Sequence, residues 1–206
     1  MKRIPLVLFA LSLIVWVSSC KKDDNPTGNN SSDGTGSIIP MKTGNTWIVR
    51  IFSYDTTGAV IISGFDTLSV GRDTLIGTER WYQFGDENNF WTNKSDGLWR
   101  QRFGSSPQSP QLVLKYPSSV GDVWTYVESS QTFEVSLASN NTSLTVPGGS
   151  FSCYYYRTKQ AGATFNLEED YLKPGVGIIA WNLYTKRSSG LVYRSSRTEL
   201  ISYTLK

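Results

Sequence analysis

From residue 40 onward, hydrophobic and polar positions alternate in short tracts that are rich in β-branched and aromatic residues. Residues 47–51, 111–116, 133–137 and 151–156 are the clearest of these tracts. A period of two places every second side chain on the same face, which is typical of a half-buried β-strand. No long segment has the 3.6-residue apolar spacing of an amphipathic helix. The pattern therefore predicts an all-β domain.

Turn signals separate these tracts. Clusters of Gly, Asn, Asp, Ser and Pro recur between them, for example at residues 57–58, 95–97 and 147–149. These residue types favour tight turns because they tolerate positive φ or bond to their own backbone. Many short strands joined by tight turns indicate an antiparallel β-sandwich or an incompletely closed β-barrel.

Two segments of the domain repeat the same spacing of Pro, Gly, an Asn or Asp, and Trp. They are Pro40, Gly44, Asn45 and Trp47, and Pro117, Gly121, Asp122 and Trp124. A fainter repeat aligns residues 91–98 with residues 171–178, each running from an aromatic residue to a Gly and an aliphatic residue. Two repeats in the same order predict a domain built from two related β-meander halves.

The N-terminus has a different pattern. Lys2 and Arg3 precede an uncharged apolar run at residues 4–17, and the small residues Ser18 and Ser19 follow it. This three-part layout predicts a removable secretory signal peptide over residues 1–19. The apolar run is short for a membrane span, which needs about 20 residues. We therefore expect no transmembrane helix in the mature chain.

Residues 17–20, Val-Ser-Ser-Cys, resemble the lipobox of bacterial lipoproteins. The resemblance implies that the Cys20 thiol receives diacylglycerol, that cleavage leaves Cys20 first, and that its amine is acylated as well. Several acyl chains anchor a protein firmly, because each buried methylene contributes about 0.8 kcal/mol. The membrane is then one partner of the chain, and an ordinary signal peptide with an incidental Cys is the alternative.

Residues 21–24, Lys-Lys-Asp-Asp, resemble the signal that follows the lipid-bearing Cys in surface lipoproteins of the Bacteroidota. This implies outer-membrane anchoring with display at the cell surface, and the periplasmic leaflet is the alternative. Residues 20–39 are nearly free of large apolar side chains, which predicts a lipidated Cys and a disordered tether. Residues 40–206 are then a single β domain of ordinary size.

The Pro40 repeat and residues 174–179 also resemble uncharacterised β-rich lipoproteins of the Bacteroidota. That resemblance implies an antiparallel β fold. It implies no activity and no functional residue.

Charge and composition narrow the range of functions. Without Lys2 and Arg3 the chain has 18 Lys and Arg against 17 Asp and Glu, which gives no support for nucleic-acid binding. The absence of His excludes Ser-His-Asp and Cys-His nucleophiles and His-ligated zinc. No Gly-rich phosphate loop precedes a helix. We expect no catalytic residue, no cofactor and no enzymatic activity.

Carboxylates alone support one further class, the glycosidases, which need two acids across a cleft. The candidates are Asp86 with Glu87 and the acidic run at residues 168–170. Neighbouring acids on a strand point to opposite faces, so only Glu168 and Asp170 share a side. Both groups lie in or beside predicted turns, which favours solvated acids. Residues 93–97 lack the terminal Glu of a calcium loop, so no metal site is predicted.

Cys153 is the one thiol that remains if Cys20 carries lipid, so no intramolecular disulfide is available. It lies among aromatic residues on a predicted strand and has no cationic neighbour in sequence. These surroundings predict a buried, unreactive thiol.

Aromatic residues are enriched in the mature chain. The sequence has seven Trp, one of them in the signal segment, and eleven Tyr. Trp81, Trp91 and Trp99 lie close together, and exposed rings on a β face stack well on sugars, so these three are candidate ligand-binding residues. The alternative is an aromatic core, which we favour for Trp47 and Trp124 at their strand starts.

Three functional hypotheses follow. The first, which we favour from the sequence, is a non-catalytic surface module that binds a glycan or an envelope protein through exposed aromatic rings or an apolar patch. The second is a carrier or chaperone of lipid-like ligands, which needs an apolar cavity inside an open barrel. The third is a hydrolase that uses carboxylates alone, which needs two acids converging in a cleft.

Overall fold

The computed structural model describes residues 36–85, 87–104 and 109–206. Across these residues the chain forms twelve β-strands and no helix, which confirms the all-β prediction. Accordingly, no helix in this part of the chain is long and apolar enough to cross a bilayer. The predicted signal segment, Cys20, most of the tether and Asp86 lie outside the described residues.

The strands are β1 (Thr46–Tyr54), β2 (Val60–Ile76), β3 (Glu79–Phe84), β4 (Asn89–Lys94), β5 (Gly97–Arg102), β6 (Gln111–Lys115), β7 (Val123–Glu128), β8 (Gln131–Val146), β9 (Gly149–Gln160), β10 (Glu168–Lys173), β11 (Gly177–Lys186) and β12 (Val192–Thr204). They form one antiparallel sheet in the order β6-β5-β4-β3-β2-β1-β12-β11-β10-β9-β8-β7. Two successive meanders, β1 to β6 and β7 to β12, are joined where β1 pairs with β12. The sheet closes into a barrel except between β6 and β7, which have no backbone ladder. Of the two predicted architectures, the chain adopts the incompletely closed barrel, and we call this gap the β6/β7 seam.

Strand β1 shows how the alternating pattern builds the core. Trp47 and Val49 are fully buried, whereas Ile48 between them is 42% exposed. The Trp47 Nε1 donates a hydrogen bond to the Val176 carbonyl oxygen at 2.8 Å, and its ring meets Phe84 edge-on with 5.7 Å between centroids. The core position predicted for Trp47 is confirmed.

The segment before β1 lies against one end of the barrel. Ile38 is fully buried, and Ile39 and Met41 are nearly so. The Ser37 carbonyl oxygen accepts a hydrogen bond from the Gly175 backbone N–H at 3.0 Å. These contacts tie the start of the described chain to the turn between β10 and β11.

The predicted repeats occupy equivalent places in the two meanders. The Trp of each main repeat is the second residue of β1 or β7. In the turns before them, the Gly44 N–H donates to Val70 and the Gly121 N–H donates to Leu137, both at 2.9 Å. The two glycines have φ of 89° and 92°, a conformation that glycine adopts without steric cost. The shared spacing therefore encodes one turn that the chain uses twice.

Strand β2 belongs to two parts of the sheet. Residues 60–69 pair with β1, and residues 70–76 run alongside β3. Most side chains of the first half are exposed to solvent, and we call residues 60–65 the β2 ribbon. Its Val60, Ile61, Ile62 and Phe65 side chains are 52%, 61%, 65% and 74% exposed.

Cys153 is fully buried on β9 and forms no disulfide. Burial raises the pKa of its thiol to about 11, so the thiolate is scarce at neutral pH. The prediction of a buried thiol is confirmed.

Candidate functional site

A cavity of about 250 Å³ lies inside the barrel, behind the β6/β7 seam. Most of its wall is aliphatic or aromatic, and its polar side chains are Arg100, Tyr126, Thr158, Glu168 and Asp170. An apolar cavity with a few convergent polar groups is the usual form of a small-molecule site. Such sites commonly have volumes of about 300–1,000 Å³, so this cavity suits a small ligand.

Strand β10 places two acids in the cavity. Because side chains alternate along a strand, Glu168 and Asp170 share the inner face and Glu169 lies on the other face. Glu169 accepts hydrogen bonds from the hydroxyls of Tyr155 and Tyr184 at 2.7 and 2.8 Å. Glu168 and Asp170 are hydrogen-bonded to each other. Adjacent acids in the sequence therefore have separate surroundings.

Burial raises the pKa of both inner carboxyls. For Glu168 the loss of solvation is the largest cause, and the charge of Arg100 opposes it. For Asp170 burial and the neighbouring Glu168 carboxyl both raise the pKa well above its usual range. Two carboxyls in contact do not readily ionise together, so the pair retains a proton.

The expectation that these acids are solvated turn residues is wrong. Glu168 and Asp170 are the first and third residues of strand β10 and do not lie in a turn. Both line the cavity. Each is half-buried by accessible area, and the surface that it keeps faces the cavity.

Arg100 on β5 lines the same cavity. Its guanidinium carbon lies 5.4 Å from the Trp91 ring centroid and 5.6 Å from the Tyr126 ring centroid, which is a cation–π arrangement. Its Nη2 donates to Glu128 Oε2 at 2.8 Å, and Arg102 donates to the other oxygen of Glu128. Burial raises the pKa of Tyr126, so its hydroxyl stays neutral. The Arg100 charge therefore already has its carboxylate partner.

Side chains hold the β6/β7 seam together. Trp124 Nε1 donates to the Val113 carbonyl oxygen at 3.0 Å, and the Val127 backbone N–H donates to Gln111 Oε1 at 3.3 Å. The ion pair from β5 to Glu128 on β7 spans the same gap. Strands joined in this way separate without the loss of a backbone ladder.

The three Trp residues singled out from the sequence do not form an exposed row. Trp81 is fully buried, and Lys94 Nζ lies 5.4 Å from its ring centroid. Trp99 donates its indole N–H to Asp96 Oδ1 at 2.8 Å, and Lys94 lies 4.7 Å from its ring centroid. Of the three, Trp91 lines the cavity.

Sequence reasoning missed Arg100, Tyr126 and Trp181 as cavity residues. One signal was available, because Leu98 and Arg100 are two positions apart on a strand and so share a face. The face that lines the cavity depends on closure of the sheet, which brings β5, β7 and β10 together from distant parts of the chain. No local pattern in the sequence indicates that the sheet closes.

The arrangement offers apolar contact, aromatic faces for a cation, hydrogen bonding, and a carboxyl pair that takes up or releases a proton. Over the described ranges, no group of three or more His, Cys, Asp or Glu side chains is placed to hold a metal ion.

No protein-family model matches the sequence, and no curated protein matches it. Among solved structures, a similar chain is a candidate lipoprotein from Parabacteroides distasonis, with 12% sequence identity and a TM-score of 0.36. The match covers 82% of this chain and 99% of that chain. The barrel assignment follows from the strand order of this chain.

Proposed function

We propose that this chain is a lipid-anchored cell-envelope protein that binds a small, largely apolar molecule inside its barrel. The observation that supports the proposal is the cavity of about 250 Å³ with aromatic walls and a few polar groups. This is the carrier hypothesis, which required an apolar cavity in an open barrel. The glycan-binding form of the surface hypothesis loses support, because Trp81 is buried and Trp91 faces inward.

The β6/β7 seam is the proposed route to the cavity. Val113 and Leu114 on β6 and Tyr126 on β7 line the cavity on its two sides. The two strands are linked by side chains, so their separation costs less than the opening of a laddered pair. A ligand can then reach the interior while the rest of the sheet stays paired.

Anchoring and location belong to the same proposal. Lipid on Cys20 would hold the barrel at the outer membrane, and residues 21–24 favour the cell surface over the periplasmic leaflet. A tether between the lipid and the barrel would leave the seam accessible to the aqueous phase.

Binding of a neutral aromatic probe tests the carrier function. The mature chain with Cys20→Ser is titrated with 4-fluorobenzyl alcohol, whose ¹⁹F signal reports the bound state. We expect one saturable site. Val113→Trp should fill the cavity and abolish binding, whereas Val120→Trp at a 57% exposed position should not. Melting curves of both variants test whether they are folded. If Val113→Trp does not fold, Val113→Phe is the smaller replacement.

The absence of saturable binding to the wild-type chain would contradict the carrier function. Binding that Val113→Trp leaves unchanged would contradict the location of the site.

A second candidate function is binding of an envelope protein, which the β2 ribbon favours. Its apolar side chains are exposed, and among the described strands none pairs with the outer edge of residues 60–69. Such an edge accepts an added strand from a partner. A photo-reactive residue at position 65 should crosslink a partner in cells, and Ile62→Lys should abolish that crosslink. An identical crosslink from position 120 would show that the contact is non-specific.

A further inference from the structure

This inference rests on the proposed carrier function and concerns the chemistry of the ligand. We propose that the ligand is a small amine in its ammonium form. Its nitrogen lies against the Glu168 and Asp170 carboxyls, and its apolar body packs on the aromatic wall of the cavity.

The distribution of charge inside the cavity supports an ammonium group. Arg100 is already paired with Glu128 at 2.8 Å. Glu168 and Asp170 are hydrogen-bonded to each other, and no hydrogen bond reaches either carboxyl from another described residue. With one proton between them the two acids carry one negative charge. One ammonium group would neutralise that charge and donate to both carboxyls.

The groups that face the pair are acidic or neutral, with the exception of Arg100. Glu128 accepts hydrogen bonds from Arg100 and Arg102. Glu169 accepts hydrogen bonds from the hydroxyls of Tyr155 and Tyr184. Tyr126 and Tyr156 stay neutral because burial raises the pKa of each hydroxyl. Arg100 is the facing cation, and its interaction with Glu168 is a charge interaction without a hydrogen bond.

The aromatic wall is already used to hold a cation. Trp91 and Tyr126 carry the Arg100 guanidinium at 5.4 and 5.6 Å from their ring centroids. Trp181 on β11 also lines the cavity. Aromatic faces attract a ligand cation, as in the recognition of quaternary ammonium groups. An organic carboxylate would instead add an anion beside the acid pair and find Arg100 occupied.

The size of the cavity limits the ligand. The cavity volume of about 250 Å³ lies just below the range of about 300–1,000 Å³ that is common for sites of drug-sized ligands. A primary amine with a single aromatic ring or a short alkyl chain has that bulk. Larger amines would require the β6/β7 seam to remain open.

Binding is linked to the protonation of the acid pair. At a pH where both carboxyls are protonated, the ammonium group displaces one of their protons, which leaves to solvent, and the bound state is neutral overall. At a higher pH the pair has already lost that proton. Affinity for the amine should therefore rise with pH through the raised pKa of the pair, as long as the amine stays charged.

Three probes of one shape test the inference on the mature chain with Cys20→Ser: 4-fluorobenzylamine, 4-fluorobenzyl alcohol and 4-fluorobenzoate. By ¹⁹F NMR titration we expect the amine to bind at least tenfold more tightly than the alcohol, and the benzoate most weakly. In titrations at one-unit steps from pH 5 to pH 8, amine affinity should increase at least threefold as pH rises through the raised pKa of the acid pair, whereas alcohol affinity should stay constant.

Isosteric variants locate the effect. Asp170→Asn and Glu168→Gln should each remove most of the preference for the amine over the alcohol, measured as the ratio of the two affinities. Glu134→Gln, a control at an acid paired with Lys159 outside the cavity lining, should change neither.

Alcohol binding as tight as amine binding, or a preference for the benzoate, would overturn the inference and leave the carrier function standing. The absence of binding by all three probes would overturn both. The wild-type pH dependence needs no variant, so a folding defect in a variant leaves the inference testable.

Discussion

Residues 168–170 show how one strand gives similar side chains different chemistry. Glu169 lies among the hydroxyls of Tyr155 and Tyr184, while Glu168 and Asp170 face the cavity and each other. The sequence predicts that Glu168 and Asp170 share one face of the strand and that Glu169 lies on the other. Their burial could not be predicted, because it depends on packing of β10 against strands from the other meander.

The first stability prediction concerns Asp170. Its pKa is raised in the folded chain, so between the usual carboxyl pKa near 4 and the raised value the native state binds more protons than the unfolded state. Stability therefore falls as pH rises through that window. Asp170→Asn should remove most of the slope and stabilise the chain at pH 7.5 by about 1 kcal/mol or more, since one pKa unit corresponds to about 1.4 kcal/mol.

Urea unfolding at pH 4.5, 6.0 and 7.5 measures this slope, with Glu134→Gln as the control. A wild-type stability that rises steadily over this range, or an Asp170→Asn variant with the wild-type slope, would show that the pair is not a buried, proton-sharing one.

The second stability prediction concerns Gly97, the first residue of β5. It has φ of 145°, and a Cβ at this position would lie 2.0 Å from the Leu114 carbonyl oxygen. Gly97→Ala should therefore displace β6 and cost about 3 kcal/mol or more. Gly58 also has a positive φ, 87°, but has open space around it, so Gly58→Ala should cost only about 1 kcal/mol.

Thermal unfolding compares the two alanine variants. At about 2–4 °C per kcal/mol for a chain of this size, their melting temperatures should differ clearly. Equal melting temperatures would refute the close approach of β6 to Gly97.

Among the strands, the β6/β7 seam is where the barrel differs from a closed sheet. Ordinary alternation in β6 and β7 predicts two strands but says nothing of whether they pair. The bonds from Trp124 to Val113 and from Val127 to Gln111 replace a ladder there. The seam therefore lies beside the cavity and is held by side-chain contacts without a backbone ladder.

Crosslinking tests the seam as the ligand route. Gln111→Cys with Val127→Cys, joined by a short bismaleimide, should slow exchange of 4-fluorobenzyl alcohol at least tenfold and change its affinity little. The buried Cys153 thiol, with its pKa raised to about 11, should not compete for the reagent. Gln111→Cys capped by a monofunctional maleimide is the control. An exchange rate unaffected by the crosslink would place the route elsewhere in the barrel.

Across the whole chain, the sequence predicted the fold class, the tight turns and the two related meanders. The repeat at Trp47 and Trp124 encodes equivalent turns, and the structure places both at the second residue of an opening strand. Which of the two predicted architectures forms could not be decided from the sequence, since it depends on pairing of β1 with β12 across most of the chain length. The cavity forms only when the sheet closes, so the residues that line it could not be predicted from the sequence either.

Location is a further property of the entire protein. Cys20→Ser should move the chain from the membrane fraction to the soluble fraction, because the lipid anchor is lost. On intact cells, added protease should degrade the wild-type domain, whereas replacement of residues 21–24 by Ala should protect it. A wild-type domain that survives protease on intact cells but is degraded after lysis would place it on the periplasmic leaflet.

The most direct test of the central claim is a crystal structure of the mature chain with Cys20→Ser soaked with 4-bromobenzylamine, because the anomalous signal of bromine locates the ligand. We expect one bromine peak inside the barrel beside Trp91 and Trp181, with the amine nitrogen within hydrogen-bond distance of Glu168 or Asp170. A peak confined to the outer surface, with the interior unchanged, would contradict the cavity as the binding site.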